Sequence, residues 1–253
     1  MPFDPMYLLL VMLPGLLISG GASLLVKSAF SRYSRVGTRQ GYTGAQAAQI
    51  LLDRAGIHDV RVVQTQGYLS DHYNPTSKQL ALSPDVYHSN SIAAVGVACH
   101  EAGHAIQHAR HYAPLWARSA LVPMAGIGSN LGYFVMLFGL FIHPYVVLAG
   151  VALFGMVLLF QIVTLPVEFD ATARAKRLVL EAGIVSPDER TGMDRVLNAA
   201  ALTYVAAVVS TLLTILYFLI RSGILGGRRD EERRTRRDGS GSIQWLGGTS
   251  RTI

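Results

Sequence analysis

The chain has 253 residues, of which 51% are hydrophobic and only 15% are charged, whereas soluble globular domains average about 25% charged residues. The charges are also unevenly spread, since 49 consecutive residues between Arg118 and Glu168 include no Lys, Arg, Asp or Glu. A charge at the centre of a bilayer is costly, so this composition excludes an ordinary soluble protein and indicates a membrane protein.

The net charge of +6 is concentrated in two basic clusters. The first follows the first apolar run and consists of Lys27, Arg32, Arg35 and Arg39, and the second lies in residues 221–253, where acidic residues interrupt it. Basic residues beside an apolar span are typical of the cytoplasmic face. No folded nucleic-acid-binding motif accompanies either cluster, so we expect a lipid bilayer and no nucleic acid among the partners.

Four apolar runs reach the length of about 20 residues that crosses a bilayer: Tyr7–Val26, Leu121–Ile142, Tyr145–Val167 and Ala199–Ile220. Only His143 and Pro144 separate the second run from the third, which predicts a transmembrane hairpin. The first run could also be a signal peptide cleaved near Gly21-Ala22-Ser23. It lacks a basic start and is longer than a typical signal sequence, so we expect it to remain as a helix.

The larger polar segment, residues 27–120, is predicted to be a small α+β insert. Its expected elements are a helix over Thr43–Ala55, strands at Val60–Gln64 and Gln79–Leu82 separated by a turn at Asp71–Pro75, and a helix from Ser91 to about Arg110. The fold class is therefore a mainly α membrane protein with about four transmembrane helices. The predicted segments are an N-terminal transmembrane helix (1–26), the insert (27–120), the hairpin (121–167), a helical segment (168–198), a last transmembrane helix (199–220) and a disordered basic tail (221–253).

The stretch His100-Glu101-Ala102-Gly103-His104 on the predicted helix has the H-E-x-x-H pattern of zinc peptidases. Two histidines four positions apart share one helix face, so both can bind one zinc ion. Glu101 lies where it can take a proton from a zinc-bound water and pass it to the leaving amine. Cys99 is the only cysteine, so a Cys-rich zinc site is excluded.

A catalytic zinc ion needs a third protein ligand. His108 is about 12 Å of helix rise from His100, too far to share the metal, so it is predicted to be a capping or supporting group. His143 is excluded because it lies in the hairpin turn. Glu168 is the predicted ligand, since a hairpin leaves and re-enters the membrane on one face. Asp170 is the competing candidate, but it points to a different side of a helix from Glu168.

The ordered set His100–His108, two spans, and Glu168-Phe169-Asp170-Ala171 resembles the YugP-type membrane zinc metallopeptidases of bacteria and, more distantly, the CAAX prenyl proteases and heat-shock membrane zinc proteases. The resemblance covers roughly residues 1–225. It implies His100, His104 and Glu168 as ligands of one zinc ion and Glu101 as the catalytic base. One departure is Thr172, where the wider group often has an acid, so Asp170 is an alternative source of a carboxylate that orients a ligand histidine.

Two residues of the predicted turn, His72 and Tyr73, are candidates for the group that stabilises the oxyanion. The turn precedes Gln79–Leu82, whose exposed edge is predicted to accept a peptide as an added strand. A purely structural alternative for His72 is a turn residue bonded to nearby backbone. For Tyr204, in the last apolar run, the structural alternative is an aromatic side chain that packs or lies at the membrane interface.

We therefore expect an integral-membrane zinc metalloendopeptidase that hydrolyses peptides or membrane proteins, with residues 27–120 as a zincin-like catalytic insert. We expect it to be a multi-pass protein of a bacterial-type cell membrane, with its active site on the cytoplasmic side. The first basic cluster supports a cytoplasmic position for the active site, although four full spans would place the basic tail on the opposite side of the membrane. The alternatives are a non-catalytic zinc-binding scaffold or chaperone, which would not need Glu101, and a transporter, which would need charges inside the spans. The sequence does not specify a substrate or an oligomeric state.

Overall fold

The computed structural model describes residues 5–67 and 69–225, so residues 226–253 of the predicted basic tail lie outside the described residues. The described part is mainly helical and includes one small sheet. Its helices are α1 (Pro5–Tyr33), α2 (Gly44–Arg54), α3 (Pro84–Tyr87), α4 (Ile92–Ala109), α5 (Ala113–Ile142), α6 (Pro144–Glu181) and α7 (Arg190–Arg221). Its strands are β1 (Arg61–Gln64), β2 (His72–Asn74) and β3 (Gln79–Leu82).

Four of these helices, α1, α5, α6 and α7, are long and apolar enough to cross a membrane. Many of their large apolar side chains are exposed, including Leu16 in α1 and Phe141 in α5, as expected of surfaces that face lipid. The prediction of a mainly helical chain is confirmed, and the four predicted spans correspond to four helices that could cross a membrane. Helices α5 and α6 form the expected hairpin, in which His143 caps the start of α6.

Glycines allow the two helices of this hairpin to pack with their backbones close together. A Cβ atom added to Gly132 would lie 2.6 Å from the backbone nitrogen of Phe154, and one added to Gly150 would lie 2.5 Å from the backbone nitrogen of Met136. The two helices of the hairpin are therefore packed closely along these glycines.

Helix α6 continues without a break from the hairpin through Glu168 to Glu181, so the predicted third span and the start of the predicted segment 168–198 belong to one helix. Gly183, with φ of +66°, follows the end of the helix in the left-handed conformation that glycine adopts without steric cost. The predicted break near Gly183–Pro187 is the loop between α6 and α7, and α7 begins at Arg190, before the predicted last span.

The polar insert contains the predicted helices and strands, with two corrections. The three strands have the order β1-β3-β2, with β1 parallel and β2 antiparallel to β3. The segment predicted as a turn, Asp71–Pro75, includes strand β2. Strand β3 is central and pairs on both sides, so the prediction that Gln79–Leu82 has an exposed edge is wrong; the outer strand on that side is β2.

Helix α4 lies at the centre of the insert and is its most buried element. Ser91 caps its start, where the Ser91 hydroxyl accepts a hydrogen bond from the Ala94 backbone nitrogen. The alanines that precede the histidines, such as Ala94 and Ala98, are fully buried. Helix α4 packs against α2, β2 and β3 on one side and against α6 and α7 on the other, so its histidines face the junction of the insert and the spanning helices.

Candidate metal site

Helices α4 and α6 cross in close contact at Gly103. A Cβ atom on Gly103 would lie 2.7 Å from the backbone oxygen of Ala171, a distance that real Cβ atoms do not tolerate. Glycine at this position therefore permits the close approach. His104 is the next residue on α4, and Glu168 lies one helical turn before Ala171 on α6, so this crossing brings their side chains together.

Three side chains meet at the crossing: His100, His104 and Glu168. Their potential ligand atoms all lie within 4.8 Å of one another. The Nε2 atoms of His100 and His104 are 3.3 Å and 3.6 Å from Oε2 of Glu168, and the two imidazole rings are nearly perpendicular. Glu168 is 2% exposed and His104 is 7% exposed, so the cluster is largely shielded from water and could hold one metal ion.

The protonation of His104 can be read from the hydrogen bonds behind it. The amide nitrogen of Gln107 donates to the backbone oxygen of Val167 and to Oδ2 of Asp170, both at 2.8 Å. Both of these partners can only accept, so the Gln107 oxygen must face Nδ1 of His104, 3.0 Å away. Nδ1 therefore carries the hydrogen, and Nε2 presents a lone pair to Glu168.

A lone pair and a buried carboxylate oxygen 3.6 Å apart repel each other unless a cation or a proton lies between them. Burial alone would lower the pKa of His104, but its bonds and charge interactions with Glu168, Glu101 and Gln107 outweigh that effect and raise the pKa. The electrostatic environment thus favours positive charge at this point. Two imidazole nitrogens and one carboxylate oxygen are also a donor set that suits zinc, so the residues fit that metal.

His100 and Glu168, the other two members of the cluster, are also oriented by contacts with neighbouring side chains. Oγ1 of Thr172 lies 3.2 Å from Nδ1 of His100, so a hydroxyl stands where the wider group often has an acid. The Arg118 guanidinium donates to Oε1 of Glu168 at 2.9 Å. This ion pair occupies one carboxylate oxygen and leaves Oε2 directed at the two histidines, as a monodentate ligand requires.

Two cavities border the cluster, and Glu101 lines both of them. The first, here called the apolar cavity, has a volume of about 290 Å³ and lies between α1, α4 and α7. The second, here called the polar cavity, has a volume of about 270 Å³ and extends towards β2 and α5. Tyr204 also borders both cavities, so Glu101 and Tyr204 flank the space where a bound molecule would pass the metal cluster.

The remaining predicted residues lie around the polar cavity or behind the cluster. His72 and Tyr73 both line the polar cavity, but Nδ1 of His72 donates to the backbone oxygen of Ser70 at 2.8 Å. The Tyr73 hydroxyl is bonded to Nδ1 of His108 at 2.8 Å, and His108 is therefore outside the metal cluster. Burial and the charge of Asp59 raise the pKa of Tyr73 to about 12.

Asp170 is likewise outside the cluster, because its carboxylate binds Gln107 and Arg174. It supports His104 through Gln107 and does not occupy the position of a ligand. The sequence reasoning assigned no role to Gln107 or Arg118 and mentioned Thr172 only as a departure. Helical spacing could have suggested two of them, since Gln107 is three residues after His104 and Thr172 is four residues after Glu168. Arg118 had no comparable signal.

The site and the four long helices together define a class of protein, one with four helices that could cross a membrane and a zinc-peptidase motif in a side-chain cluster that could hold a metal ion. Comparison with family models places it more narrowly, since residues 8–223 match the family described as "Putative neutral zinc metallopeptidase". The match covers most of the chain, and the chain belongs to this family.

A relative described as "Putative membrane protease YugP", from Bacillus subtilis (strain 168), is 40% identical over 204 residues, which cover 80% of this chain and 91% of the relative. The resemblance seen in the sequence is confirmed. Comparison with solved structures gives no match. The membrane-protease relative and the four apolar helices indicate a multi-pass membrane protein.

Proposed function

We propose that this protein is a zinc-dependent metalloendopeptidase of the membrane, with one zinc ion held by His100, His104 and Glu168. The observation that carries the proposal is the convergence of these three ligand atoms within 4.8 Å beside Glu101, which faces two open cavities. A zinc ion in this place would supply Lewis-acid chemistry to the scissile carbonyl.

Glu101 is proposed as the general base. It takes a proton from the attacking water and transfers it to the leaving amine, a role that needs an accessible carboxylate close to the reacting atoms. Glu101 is only partly buried, unlike Glu168, and has no described ion-pair partner comparable to Arg118. The two carboxylates are thus suited to different roles: Glu168 is fixed as a ligand, and Glu101 is free to exchange protons.

The substrate is proposed to be a peptide or a membrane protein bound in extended form beside β2. This strand is at the outer edge of the described sheet, and its residues His72 and Tyr73 line the polar cavity. An extended peptide can add to such an edge through main-chain hydrogen bonds. The packing of helix α4 against this sheet supports a zincin-like role for the insert. The strand that would accept the peptide is β2, and not β3 as the sequence predicted.

The reaction is proposed to occur at the cytoplasmic face of a cell membrane. Glu168 directly follows the apolar run Tyr145–Val167, which supports a site near a bilayer surface. Lys27, Arg32, Arg35 and Arg39 belong to the same polar segment, residues 27–120, as α4, and basic residues beside an apolar span tend to remain cytoplasmic.

The test compares Glu101→Gln with the unaltered protein, both purified in detergent and loaded with zinc. We expect Glu101→Gln to keep its zinc and to lose about 10²- to 10⁴-fold in peptide cleavage, the usual contribution of a general base. A variant that retains zinc and cleaves at the unaltered rate would show that Glu101 is not the base.

The main rival is a zinc-binding scaffold or chaperone without catalytic activity. Structural zinc sites are usually closed by four protein ligands, whereas catalytic sites leave a position open. The described cluster has three candidate ligands and is bordered by two cavities, which favours the catalytic role. Peptide cleavage that depends on Glu101 separates the two possibilities.

A further inference from the structure

The apolar cavity is continuous with the metal cluster but differs in character from the polar cavity. It shares His100, Glu101 and Glu168 with the candidate site. Beyond them, most of its wall consists of apolar side chains of α1, α4 and α7, including Val26, Phe30, Val97, Ala200 and Ala201. Asp71, Thr172, Thr203 and Tyr204 also line it. A molecule that reaches Glu101 from this side therefore meets a surface made largely of methyl, methylene and aromatic groups.

The polar side chains in that wall are already bonded to other groups of the protein. The Asp71 carboxylate accepts hydrogen bonds from the backbone nitrogen and the hydroxyl of Ser83. The Thr203 hydroxyl donates to the backbone oxygen of Ala200 at 2.7 Å, and the Thr172 hydroxyl is bonded to His100. Because these groups are committed, the wall attracts a ligand chiefly by burying apolar surface.

The size of the cavity limits what it can accept. Sites for whole small-molecule ligands have volumes of about 300–1,000 Å³, and this cavity of about 290 Å³ is at the bottom of that range. It suits one large side chain whose main chain lies across the metal cluster. The small side chains of Ala200 and Ala201 on α7 leave the space open, so a larger residue at either position would fill it.

The polar cavity has a mixed lining. His72, Arg118 and Ser119 border it as well as Glu101, together with the apolar side chains of Leu115 and Val122. A peptide lying across the cluster would therefore meet a mixed wall in one cavity and a largely apolar wall in the other. Such a difference allows the apolar cavity to discriminate between side chains.

We propose that the apolar cavity is a specificity subsite that accepts one large apolar side chain, such as Leu or Phe, next to the scissile bond. Ala200 and Ala201 set its depth. This inference rests on the proposed peptidase function and adds the class of substrate: peptides or protein segments with a large apolar residue beside the cleaved bond.

The test uses peptides that are identical except at one residue, which is Ala, Leu, Phe or Asp, placed in turn on each side of the cleaved bond. On one side, we expect the unaltered protein to favour Leu and Phe over Ala by about 10-fold or more in kcat/KM, and to disfavour Asp. Ala200→Leu should remove that preference by slowing the Leu and Phe peptides about 10-fold while changing the Ala peptide little. The matched control is Ala149→Leu, at an exposed alanine of α6 that lines neither cavity, and it should keep the preference.

The same peptides are then measured for binding to Glu101→Gln, with and without Ala200→Leu, so that the cavity is examined without turnover. A preference for Leu and Phe that disappears with Ala200→Leu supports the subsite even if the unaltered protein cleaves none of the peptides, an outcome that would contradict the peptidase function instead. If neither binding nor cleavage favours large apolar residues, or if Ala200→Leu leaves the preference intact, the inference is overturned.

Discussion

Helices α4 and α6 both supply ligands to the candidate metal site, but they position them in different ways. Helix α4 provides His100 and His104 within one turn, so their relative position follows from helical geometry alone. Helix α6 provides Glu168 from a 38-residue helix that returns from the membrane, and its position depends on the hairpin and on the crossing at Gly103. A local pair of ligands thus needs only a helix, whereas the third ligand needs the whole fold.

The two helices also differ in how they support their ligands. Glu168 is held by an ion pair with Arg118 of α5, and His100 is held by Thr172 of α6. His104 is held by the fully buried Gln107 of its own helix, which is in turn bonded to α6. Helix α4 thus supplies two of the three candidate ligands, while α6 supplies the third, contacts His100 through Thr172 and anchors Gln107.

The largest effect is expected from removing the contribution of α6 to the cluster. Glu168→Ala should reduce the zinc content from about one ion per chain to near zero, because a ligand is lost and Arg118 is left without its buried partner. Metal analysis of the purified protein measures this. Glu181→Ala, at an exposed carboxylate near the end of α6, is the control and should keep its zinc, whereas full zinc content in Glu168→Ala would exclude Glu168 as a ligand.

The crossing itself can be disturbed without changing any ligand. Gly103→Ala places a Cβ atom against the backbone of Ala171, and overpacking of this kind costs about 1–3 kcal/mol. Zinc affinity should fall by about 10- to 100-fold, since the helices must separate. Gly155→Ala on α6, where an added Cβ meets open space, should bind zinc as the unaltered protein does. Equal affinities in the two variants would contradict the importance of the crossing.

The supports of the two histidines provide a finer comparison. Loss of a group that orients a metal ligand typically costs about 10- to 100-fold in metal affinity. Gln107→Ala should lower zinc affinity by an amount near the upper end of this range, because it also leaves the backbone oxygen of Val167 and the Asp170 carboxylate without their amide partner. Thr172→Val should lower it by an amount near the lower end, since it removes a single hydroxyl contact. Zinc titrations against a competing chelator rank the affinities of the two variants. A weaker affinity in Thr172→Val than in Gln107→Ala would refute our account of how His104 is held.

The smallest effect concerns pH, and it contrasts two histidines of α4. In the metal-free protein the pKa of His104 is raised by Glu168, Glu101 and Gln107, against the effect of burial, while burial, Lys78 and His111 lower the pKa of His108. A raised pKa means that a proton competes with zinc at higher pH. As the pH is lowered, zinc affinity should therefore begin to fall while the pH is still above 6.5, the ordinary pKa of histidine.

Chelator titrations at several pH values test this expectation, with His108→Gln as the control. The control should keep the same pH dependence because His108 lies outside the cluster. A decline in affinity that begins only well below pH 6.5 would contradict the raised pKa of His104.

Much of the local structure was predictable because its causes are local. Thr43 and Ser91 cap α2 and α4 as their positions indicate, and the lengths of the apolar runs predicted the four long helices. The sheet was less predictable, because β2 has only three residues and its residues also favour turns. Which strand lies at the edge depends on pairing between strands and not on the residues of any one strand.

The sequence by itself determined which side chains on α4 could share a metal ion and act on water, because H-E-x-x-H spacing on a helix places two imidazoles and a carboxylate at fixed angles. It also predicted the helical hairpin that precedes Glu168. Only the tertiary structure decided that Gln107, Thr172 and Arg118 hold the ligands and that an apolar and a polar cavity flank Glu101. These features depend on contacts among α1, α4, α5, α6 and α7, and such contacts arise from packing between helices that are distant in the chain.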